Sequence, residues 1–582
     1  MSTIPTGGIL VAADDLEQQD DAIMSGVPRG APPYARREQM FPKLSARQIA
    51  RLEAHGQHVE LRAGEILAQP GDRHVPLLLV LSGSIEVVQV GLAGEQLVVL
   101  HEAGSFSGEL STLRGVGSVA RMRVGSDGKA LSISDSDLRT VIQTDSELSE
   151  LFMRAFILRR VGLITSASGD VVLLGSASGA STLRLQQFLT RNTFPFVSLD
   201  VTSDAAAIEL QQRFQIADRD MPVVLCRGEL VLKNPSNEEV AACLGMNPQI
   251  DDIRVRDLIV VGAGPSGLAA AVYGASEGLD VLVLESGTPG GQAGSSSKIE
   301  NYLGFPTGIS GLALASRALV QAQKFGAEIR TAYTAYQLRC DTRPYTIQFA
   351  DGKAVQARCI IIATGAEYRL LSLGDAARFM GAGLYYAATA TEARLCSGKD
   401  IIVVGGGNSA GQAAMFLASN CANVHMLVRS RGLADSMSNY LIRRIADTPN
   451  IKLHVGTEIV SLDGGTHLET VTWKTAGSSS GEAHPIEHVF LMTGAVPATR
   501  WLKGCVALND KSFIRTGLDL TADDLTRDRW GDQRVPDSFE TNIPGIYAVG
   551  DVRCGSVKRV AAAVGEGSAC VQQIHKALAA LG

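Results

Sequence analysis

The sequence is poor in the features that mark disulfide-linked, metal-binding and membrane-spanning proteins. Its 582 residues contain nine cysteines, none spaced as C-x-x-C or as a set of metal ligands. We expect them to be reduced thiols, most of them small buried side chains. No apolar run reaches the roughly 18 residues that a membrane-spanning helix needs, and the first five residues lack the basic region of a secretory signal. The sequence therefore predicts no metal site, no membrane association and a cytoplasmic location.

An excess of positive charge is also missing. The chain has 53 Lys and Arg against 60 Asp and Glu, a formal net charge of −7, which argues against a nucleic-acid partner. Hydrophobic residues make up 45% of the chain and charged residues 19%, as in globular rather than disordered proteins. A chain of this length exceeds one hydrophobic core, so several domains are expected.

Two glycine-rich motifs each lie between a short apolar strand and an alanine-rich helical segment. The first contains Gly262, Gly264, Ser266 and Gly267, and the second contains Gly405, Gly407, Asn408, Ser409 and Ala410. Glycines in this context allow a tight turn and let a pyrophosphate approach the free N–H groups at the helix start. One such motif is weak evidence, but two with the same context predict that the chain binds two dinucleotides.

Each glycine motif and its helix are followed by another predicted strand, and the residues that end this strand distinguish the two predicted sites. After the first motif this strand ends in Glu285, and an acid at that offset accepts the hydroxyl groups of a ribose. After the second motif the strand ends in Arg429 and Arg431, which suit a 2′-phosphate. Arginines at a strand end are also common on protein surfaces, but this offset from a glycine loop favours NADPH over NADH.

Two smaller segments follow a polar arm of residues 1–38, which we predict to be flexible. Residues 39–164 contain short strands, glycine turns and a closing helix, and the run 77–88 is predicted to be two strands broken by a turn at Gly83. Residues 170–245 form a predicted strand–helix–strand unit followed by a hairpin.

Residues 39–164 resemble a cyclic nucleotide-binding domain, on Gly64-Glu, Leu-Ser-Gly83 and Phe106-Ser-Gly-Glu109. In that family the glutamate corresponding to Glu109 holds a ribose hydroxyl, and a later arginine neutralises the cyclic phosphate. Here Arg114 precedes the expected position and Arg121 follows it. Because a phosphate without its charged partner loses much of its binding, we predict weak binding of cyclic nucleotides or none.

Residues 170–245 resemble a thioredoxin or glutaredoxin module, in which Met221-Pro222 would carry a cis-proline. At the position of that family's C-x-x-C the chain reads Gly175-Ser-Ala-Ser-Gly-Ala180. A module without sulfur cannot exchange disulfides. A docking module and a structural spacer remain equal alternatives, since a fold alone does not imply a function.

Residues 253–582 resemble the low-molecular-weight thioredoxin reductases, on the glycine motifs, Gly290-Gly-Gln292, the block 299–306, the block 544–551 and Arg559-Val560. The resemblance implies an FAD-binding domain formed by residues 253–366 and 490–582, and an inserted NADPH-binding domain, 367–489. The residues that it assigns to FAD are Gly262, Gly264, Ser266, Gly267, Glu285, Gly291, Gln292, Asn301, Gly550, Asp551, Arg559 and Val560. Those that it and the motif assign to NADPH are Gly405, Gly407, Asn408, Ser409, Ala410, Arg429 and Arg431.

One departure from that family concerns the residues that carry its chemistry. The relatives have Tyr-Cys-Ala-Thr-Cys-Asp where this chain has Tyr386-Ala-Ala-Thr-Ala-Thr391. Thioredoxin reductases pass electrons from NADPH through flavin to this disulfide, and only thiols can make the final exchange. Cys396 and Cys554 lie near these blocks in the sequence, but lone thiols are the simpler interpretation of both.

The predicted fold is therefore a multidomain one: a β-roll with helices, a thioredoxin-like α/β module and two Rossmann-like α/β dinucleotide-binding domains. The predicted function is electron transfer from NADPH through FAD to an unidentified acceptor, such as a small redox protein, without the usual disulfide. The alternatives are direct flavin electron transfer, as in ferredoxin–NADP reductases of this type, and a redox or ligand sensor. A homodimer is expected, and no residue is assigned as a catalytic acid or base.

Overall fold

The structure is a computed structural model. It describes residues 38–581 apart from 74, 92–93, 109–117, 119, 166–170, 177–178, 193, 195, 227–229, 247–249, 251–252, 297, 369–372, 374–375, 387, 389, 466, 503, 527–529 and 531–533.

The strands of the N-terminal half are β1 (Gln57–Leu61), β2 (Ile66–Ala68), β3 (Leu77–Gly91), β4 (Gly94–Glu102), β5 (Phe106–Ser107), β6 (Arg121–Ile133), β7 (Val171–Gly175), β8 (Val197–Asp200), β9 (Val223–Cys226) and β10 (Leu230–Lys233). The strands that follow are β11 (Val255–Val261), β12 (Val281–Glu285), β13 (Glu328–Thr331), β14 (Ala335–Arg339), β15 (Tyr345–Phe349), β16 (Ala354–Ile362), β17 (Ala366–Tyr368), β18 (Leu384–Tyr385), β19 (Asp400–Val404), β20 (Asn423–Val428), β21 (Ile451–Val455), β22 (Thr457–Asp463), β23 (Thr470–Thr475), β24 (Glu482–His484), β25 (Val489–Leu491), β26 (Ala495–Pro497) and β27 (Ile546–Ala548). The α-helices are α1 (Ala46–Leu52), α2 (Asp135–Thr144), α3 (Ser146–Thr165), α4 (Ala180–Arg191), α5 (Ala205–Arg213), α6 (Asn237–Cys243), α7 (Pro265–Ser276), α8 (Gly311–Lys324), α9 (Ala390–Leu395), α10 (Asn408–Ala418), α11 (Asn439–Ala446) and α12 (Val560–Leu581).

The N-terminal unit is an antiparallel sheet with the order β1-β6-β3-β4, on which β2 pairs with β6 and β5 with β3. The predicted break at Gly83 is wrong, because β3 runs through it as one strand. The register against β6 shifts around this glycine, whose φ is 77°. A glycine with positive φ can form a bulge that bends a strand without ending it.

The middle unit, residues 171–246, contains a four-stranded sheet with the order β10-β9-β7-β8. Strands β7 and β8 are parallel and the other pairs antiparallel, which agrees with the predicted strand–helix–strand unit and hairpin. The Met221–Pro222 peptide bond is cis, as predicted. Separate apolar clusters cover the two faces of this sheet, and helices α5 and α6, which the sequence analysis did not identify, contribute to them.

Two mainly parallel sheets, the first and the second parallel sheet, form much of the C-terminal part. The first has the order β13-β12-β11-β16-β15-β14 with β27 beside β16, and the second has the order β18-β25-β19-β20-β21. In the first, β15 pairs antiparallel with both β14 and β16. Strands β17 and β26 pair antiparallel to each other, at the two points where the chain passes between these units. The glycine motifs follow β11 and β19, so each opens a helix at the carboxyl end of a parallel strand, where ligands of such sheets bind.

The cysteines differ from the expectation of unpaired thiols. Cys226 pairs with Cys243 in the middle unit, and Cys340 pairs with Cys505 beside the first parallel sheet. The members of each pair are 17 and 165 residues apart in the sequence, and neither spacing matches a short motif that would predict a pair. Across the described residues, no helix is long and apolar enough to cross a membrane and no cluster of side chains suits a metal ion.

Candidate dinucleotide sites

The first glycine loop has the geometry that a dinucleotide needs. Gly262 has a φ of 106°, and a Cβ atom there would collide with the carbonyl oxygen of Ala363. A Cβ atom on Gly267 would overlap the carbonyl oxygen of Gly262, so α7 packs closely on the loop. A Cβ atom on Gly264 would meet nothing within 4 Å. The loop therefore combines a tight turn and close helix packing with open space for a pyrophosphate, and it fits FAD.

Glu285 lies at the end of β12 and is fixed beside this loop. Its carboxylate accepts hydrogen bonds from the backbone N–H of Ala263, at 2.7 Å, and of Gly287, at 2.8 Å. The residue is 9% exposed. Burial raises the pKa of Glu285, against the opposing effects of these two hydrogen bonds and of the nearby Arg191 guanidinium. The carboxylate thus has a set position from which it can accept ribose hydroxyl groups.

Other residues predicted for FAD gather around the same loop. A Cβ atom on Gly550 would lie 2.5 Å from the hydroxyl of Ser266, and one on Gly291 would lie 3.1 Å from the Cα of Gly264. The amide of Gln292 donates to the carbonyl oxygen of Ala366. Asn301 and Arg559 are exposed, and Val560 begins α12. The structure therefore brings most of the predicted set together and leaves Asn301 and Arg559 at its surface.

Asp551 has charged neighbours that the sequence analysis missed. Lys558 donates from its ammonium group to the backbone carbonyl of Asp551 at 2.5 Å. Glu566 accepts a hydrogen bond from the N–H of Gly550 at 2.7 Å and pairs with Arg553 at 2.8 Å. Burial raises the pKa of Asp551, Lys558 opposes this effect and Glu566 adds to it. Glu566 could have been identified from the sequence only as one acid within a helix, because its partners lie in the preceding loop.

The second glycine loop has a similar shape. Gly405 has a φ of 138°, and the nearest atom to a Cβ on Gly407 would be a backbone oxygen 3.9 Å away. The side-chain oxygen of Asn408 accepts a hydrogen bond from the N–H of Ser438 at 2.8 Å. Ser409 is exposed and Ala410, in the first turn of α10, is buried. This loop also leaves room for a phosphate at the start of a helix.

Arg429 and Arg431 are exposed at the carboxyl end of β20. Among the described residues, neither guanidinium has an ion pair or a hydrogen bond to another side chain. Arginine side chains in this state can pair with a phosphate without first breaking an existing contact. The arrangement suits the 2′-phosphate of NADPH.

The segment that replaces the relatives' thiol pair is packed against the middle unit. Ala387 and Thr389 lie outside the described residues. Ala388 is buried in an apolar cluster with Tyr385 and with Leu183 of α4. Ala390 begins α9. This segment therefore contributes to a protein core where the relatives have a reactive pair.

The two lone cysteines near the predicted blocks have different surroundings. Cys396 is fully buried, and its thiol lies against that of Cys421. The contact with Cys421 and burial both raise the pKa of Cys396, which disfavours the thiolate needed for exchange. Cys554 is half-buried, and its sulfur accepts a hydrogen bond from the amide of Asn509 at 3.4 Å.

The site predicted from the cyclic nucleotide-binding resemblance is only partly described. Glu109 and Arg114 lie outside the described residues. Arg121 donates to the side-chain oxygen of Gln69 at 2.8 Å and forms an ion pair with Glu95. Its guanidinium is thus already engaged within the sheet.

Two glycine loops on two parallel sheets, one followed by an acid and the other by exposed arginines, define an oxidoreductase of the two-dinucleotide type. Residues 256–567 match the family model described as "Pyridine nucleotide-disulphide oxidoreductase". The chain belongs to this family. A second model, "Cyclic nucleotide-binding domain", matches residues 58–145, which confirms the coarse assignment of the N-terminal unit.

Similar proteins include several thioredoxin reductases. The chain is 31% identical to that of Listeria innocua over 323 residues, which cover 56% of this chain and 94% of the relative. It is 29% identical to that of Bacillus subtilis over 329 residues, with coverages of 55% and 94%. The crystal structure of Lactococcus lactis thioredoxin reductase is similar with 25% identity and a TM-score of 0.49, covering 56% of this chain and 99% of that one. The cofactors of such homologues are FAD and NADPH, as the sequence predicted.

Proposed function

We propose that this chain is an oxidoreductase that passes electrons from NADPH through FAD to an acceptor without an active-site disulfide. The observation that carries the proposal is the combination of two complete glycine loops with alanine at both thiol positions, 387 and 390. Family membership supports the chemistry of the two dinucleotides, and the two alanines argue against thiol exchange at the usual position.

The residues of the chain would bind and orient the two dinucleotides. Bound FAD would supply the hydride and electron chemistry. The loop at Gly264 would hold its pyrophosphate, and Glu285 would accept its ribose hydroxyl groups. Arg429 and Arg431 would pair with the 2′-phosphate of NADPH. The assignment of these contacts rests on the loop geometry described above.

A direct ion pair links the two dinucleotide units. Arg444 of α11 lies 2.7 Å from the carboxylate of Glu300, which belongs to the block 299–306 on the FAD side. Together with the β17–β26 pair it holds the two units against each other. Because Glu300 and Arg444 are partly exposed, the pair is expected to orient the units more than to stabilise them.

The testing experiment is an anaerobic titration of the purified holoprotein with NADPH, followed by absorbance and by thiol counting. We expect full reduction at about two electrons per FAD, with no new thiol pair. A thioredoxin reductase would take about four, since its flavin and its dithiol each accept two electrons. An endpoint near four would contradict the proposal.

The paired cysteines provide matched controls. If an endpoint near four is abolished by Cys226→Ser or Cys340→Ser, the additional electrons belong to that pair. If Cys396→Ser or Cys554→Ser abolishes it, the redox centre has moved to that thiol. Any of these results would restore a dithiol mechanism and overturn the proposal.

A screen of candidate compounds then identifies the electron acceptor. Ferredoxin, a quinone, thioredoxin and oxygen are each offered to the reduced holoprotein. Rapid reduction of ferredoxin would favour the ferredoxin–NADP reductase type, and rapid reduction of thioredoxin would contradict transfer without thiols. Absence of multiple turnover with every acceptor would favour a sensor.

A further inference from the structure

Helix α4 of the middle unit contacts both dinucleotide units. Its first residue, Ala180, lies against Gly381, where an added Cβ would be 2.7 Å from the Ala180 Cα. One turn later Leu183 joins the cluster around Tyr385 and Ala388. Its last residue, Arg191, donates to the carbonyl oxygen of Gly291 at 2.5 Å. The 12 residues of this helix, about 18 Å at 1.5 Å per residue, therefore run from the NADPH side to the first glycine loop.

Arg191 ends this helix among residues assigned to the FAD site. A Cβ atom on Gly294 would lie 3.3 Å from its guanidinium, and one on Gly291 would lie 3.1 Å from Gly264. The charge of Arg191 acts on the carboxylate of Glu285, lowering its pKa against the larger effect of burial. The guanidinium thus lies beside Gly291, which packs on Gly264 of the loop that would hold the pyrophosphate, and it is near enough to Glu285 to act on that carboxylate.

The middle unit is docked at this position by more than one contact. Ala332, which follows β13 in the first parallel sheet, is buried inside the apolar cluster of the middle unit. Gln187 of α4 donates to the carboxylate of Glu392 in α9 at 2.6 Å. These contacts hold α4 against both dinucleotide units and so fix the position of its last residue, Arg191.

We propose that Arg191 is a cofactor-binding residue supplied by the middle unit, and that its guanidinium pairs with a phosphate of FAD. The inference rests on the proposed function, because it needs FAD at the first glycine loop. A guanidinium has five N–H donors and can hold a backbone carbonyl and a phosphate at the same time. The diphosphate is anionic, so a full positive charge beside Gly291 complements the partial positive charge of the helix N-terminus.

This assignment gives the middle unit a function, the binding of FAD, that does not depend on cysteine thiols. Retention of FAD then depends on the docking of α4. The middle unit completes the FAD site and does not itself carry electrons. Of the two alternatives left by the sequence, a docking module and a spacer, the docking module is the one that this arrangement favours.

The test measures FAD binding by apoprotein, followed by flavin fluorescence, for wild type, Arg191→Gln and Arg191→Lys. Glutamine keeps an N–H donor for the Gly291 carbonyl but loses the charge, while lysine keeps the charge. We expect Arg191→Gln to raise the Kd for FAD about ten- to a hundredfold, the range typical of a charge-assisted contact, and Arg191→Lys to raise it less. A Kd for Arg191→Gln equal to that of wild type would overturn the proposal, leaving Arg191 as a structural donor only.

Arg184 provides the matched control on the same helix. Its guanidinium donates to Asn237 at 2.7 Å and to the carbonyl of Pro235 at 2.6 Å, both within the middle unit. Arg184→Gln should bind FAD as wild type does. An equal loss in this variant would assign the effect to folding of the middle unit and would contradict a direct contact.

Competing ligands identify the group that Arg191 recognises. ADP and adenosine are each titrated against bound FAD in wild type and Arg191→Gln. The substitution should weaken the binding of ADP but leave the binding of adenosine unchanged. Equal weakening of the binding of both ligands would overturn the phosphate assignment. Wild-type apoprotein that binds no FAD would instead contradict the proposed function, so the two failures are distinguishable.

Discussion

Gln187 donates a hydrogen bond of 2.6 Å to the carboxylate of Glu392, a residue that is 1% exposed. Glu392 lies two positions after Ala390, where the relatives have their second cysteine. The segment that would present thiols to another protein thus contacts a helix of the same chain. The replacement of the thiols and the docking of the middle unit are therefore features of one interface.

We predict that Gln187→Ala loosens this interface. It removes a donor from a buried carboxylate, a loss that typically costs ~1–3 kcal/mol. Hydrogen exchange should increase in peptides covering α4 and α9. Gln186→Ala is the control, since Gln186 donates to Ser198 at 2.8 Å inside the middle unit. Equal exchange in wild type and Gln187→Ala would show that the bond contributes nothing to docking.

A second prediction concerns Glu285. Glu285→Ala would leave the N–H groups of Ala263 and Gly287 without their acceptor and remove a ligand for ribose hydroxyl groups. FAD content per chain, measured by absorbance after purification, should fall well below that of wild type. Glu285→Gln should have a smaller effect because one acceptor oxygen remains. Glu277→Gln, at the surface end of α7, should retain full FAD content, and a full content in Glu285→Ala would contradict the assigned role.

The parts of the site that depend on local sequence could be predicted. The glycine loop at 262–267 and Glu285 lie within one strand–helix–strand unit, so their relative position follows from the fold of that unit. Arg191 could not be found in this way, because it joins the loop from a separate unit about 70 residues earlier in the sequence. A basic residue in the last turn of a helix is common, so it carries no signal of its own.

Two differences from the predicted elements lie in the middle and N-terminal units. Helix α6 begins with a capping box in which Ser236 and Glu239 bond to each other's backbone N–H groups, a pattern that is visible in the sequence. Glycine ends many strands, so the local sequence predicts a turn at Gly83, but pairing of β3 with β6 on both sides of it keeps the strand continuous. Pairing with a neighbouring strand, and not the local sequence, therefore determines that β3 continues through Gly83.

We predict that cyclic AMP and cyclic GMP bind weakly or not at all. Arg121, one of the two candidate arginines, is held by Glu95 and Gln69, so pairing with a phosphate would require breaking these contacts. Calorimetric titration of the full chain should give no saturable heat at micromolar concentrations. Micromolar binding that is lost in Arg121→Ala would contradict this prediction.

A further prediction concerns the acid sensitivity of the N-terminal unit. His101 is 2% exposed, and burial together with the nearby Arg159 lowers its pKa to about 3. The unfolded chain takes up a proton near pH 6.5 while the folded chain does not, so stability is lost as the pH falls below about 6.5. At pH 5 the loss from this one residue is up to about 2 kcal/mol.

Replacement of His101 by an uncharged side chain should reduce that loss. The free energy of opening, taken from hydrogen exchange of peptides in β3 and β6, should decrease less between pH 7 and pH 5 in His101→Gln than in wild type. His425, whose pKa burial lowers to about 4 in the NADPH-side unit, gives the control, because His425→Gln should leave β3 and β6 unchanged. An identical pH response in wild type and His101→Gln would refute the prediction.

The last prediction concerns the choice of nicotinamide cofactor. Arg429 is exposed beside the second glycine loop and is not committed to another side chain within the described part of the chain, so it can pair with a 2′-phosphate. Loss of a charge-assisted contact costs ~1.5–3 kcal/mol, and Arg429→Ala should therefore raise the KM for NADPH at least tenfold while leaving that for NADH nearly unchanged. Arg443→Ala, at an exposed position on α11, should change neither value and so controls for a general loss of positive charge. Equal use of NADPH and NADH by the wild-type protein, or an equal change in both KM values in Arg429→Ala, would remove the assignment of this residue to the phosphate.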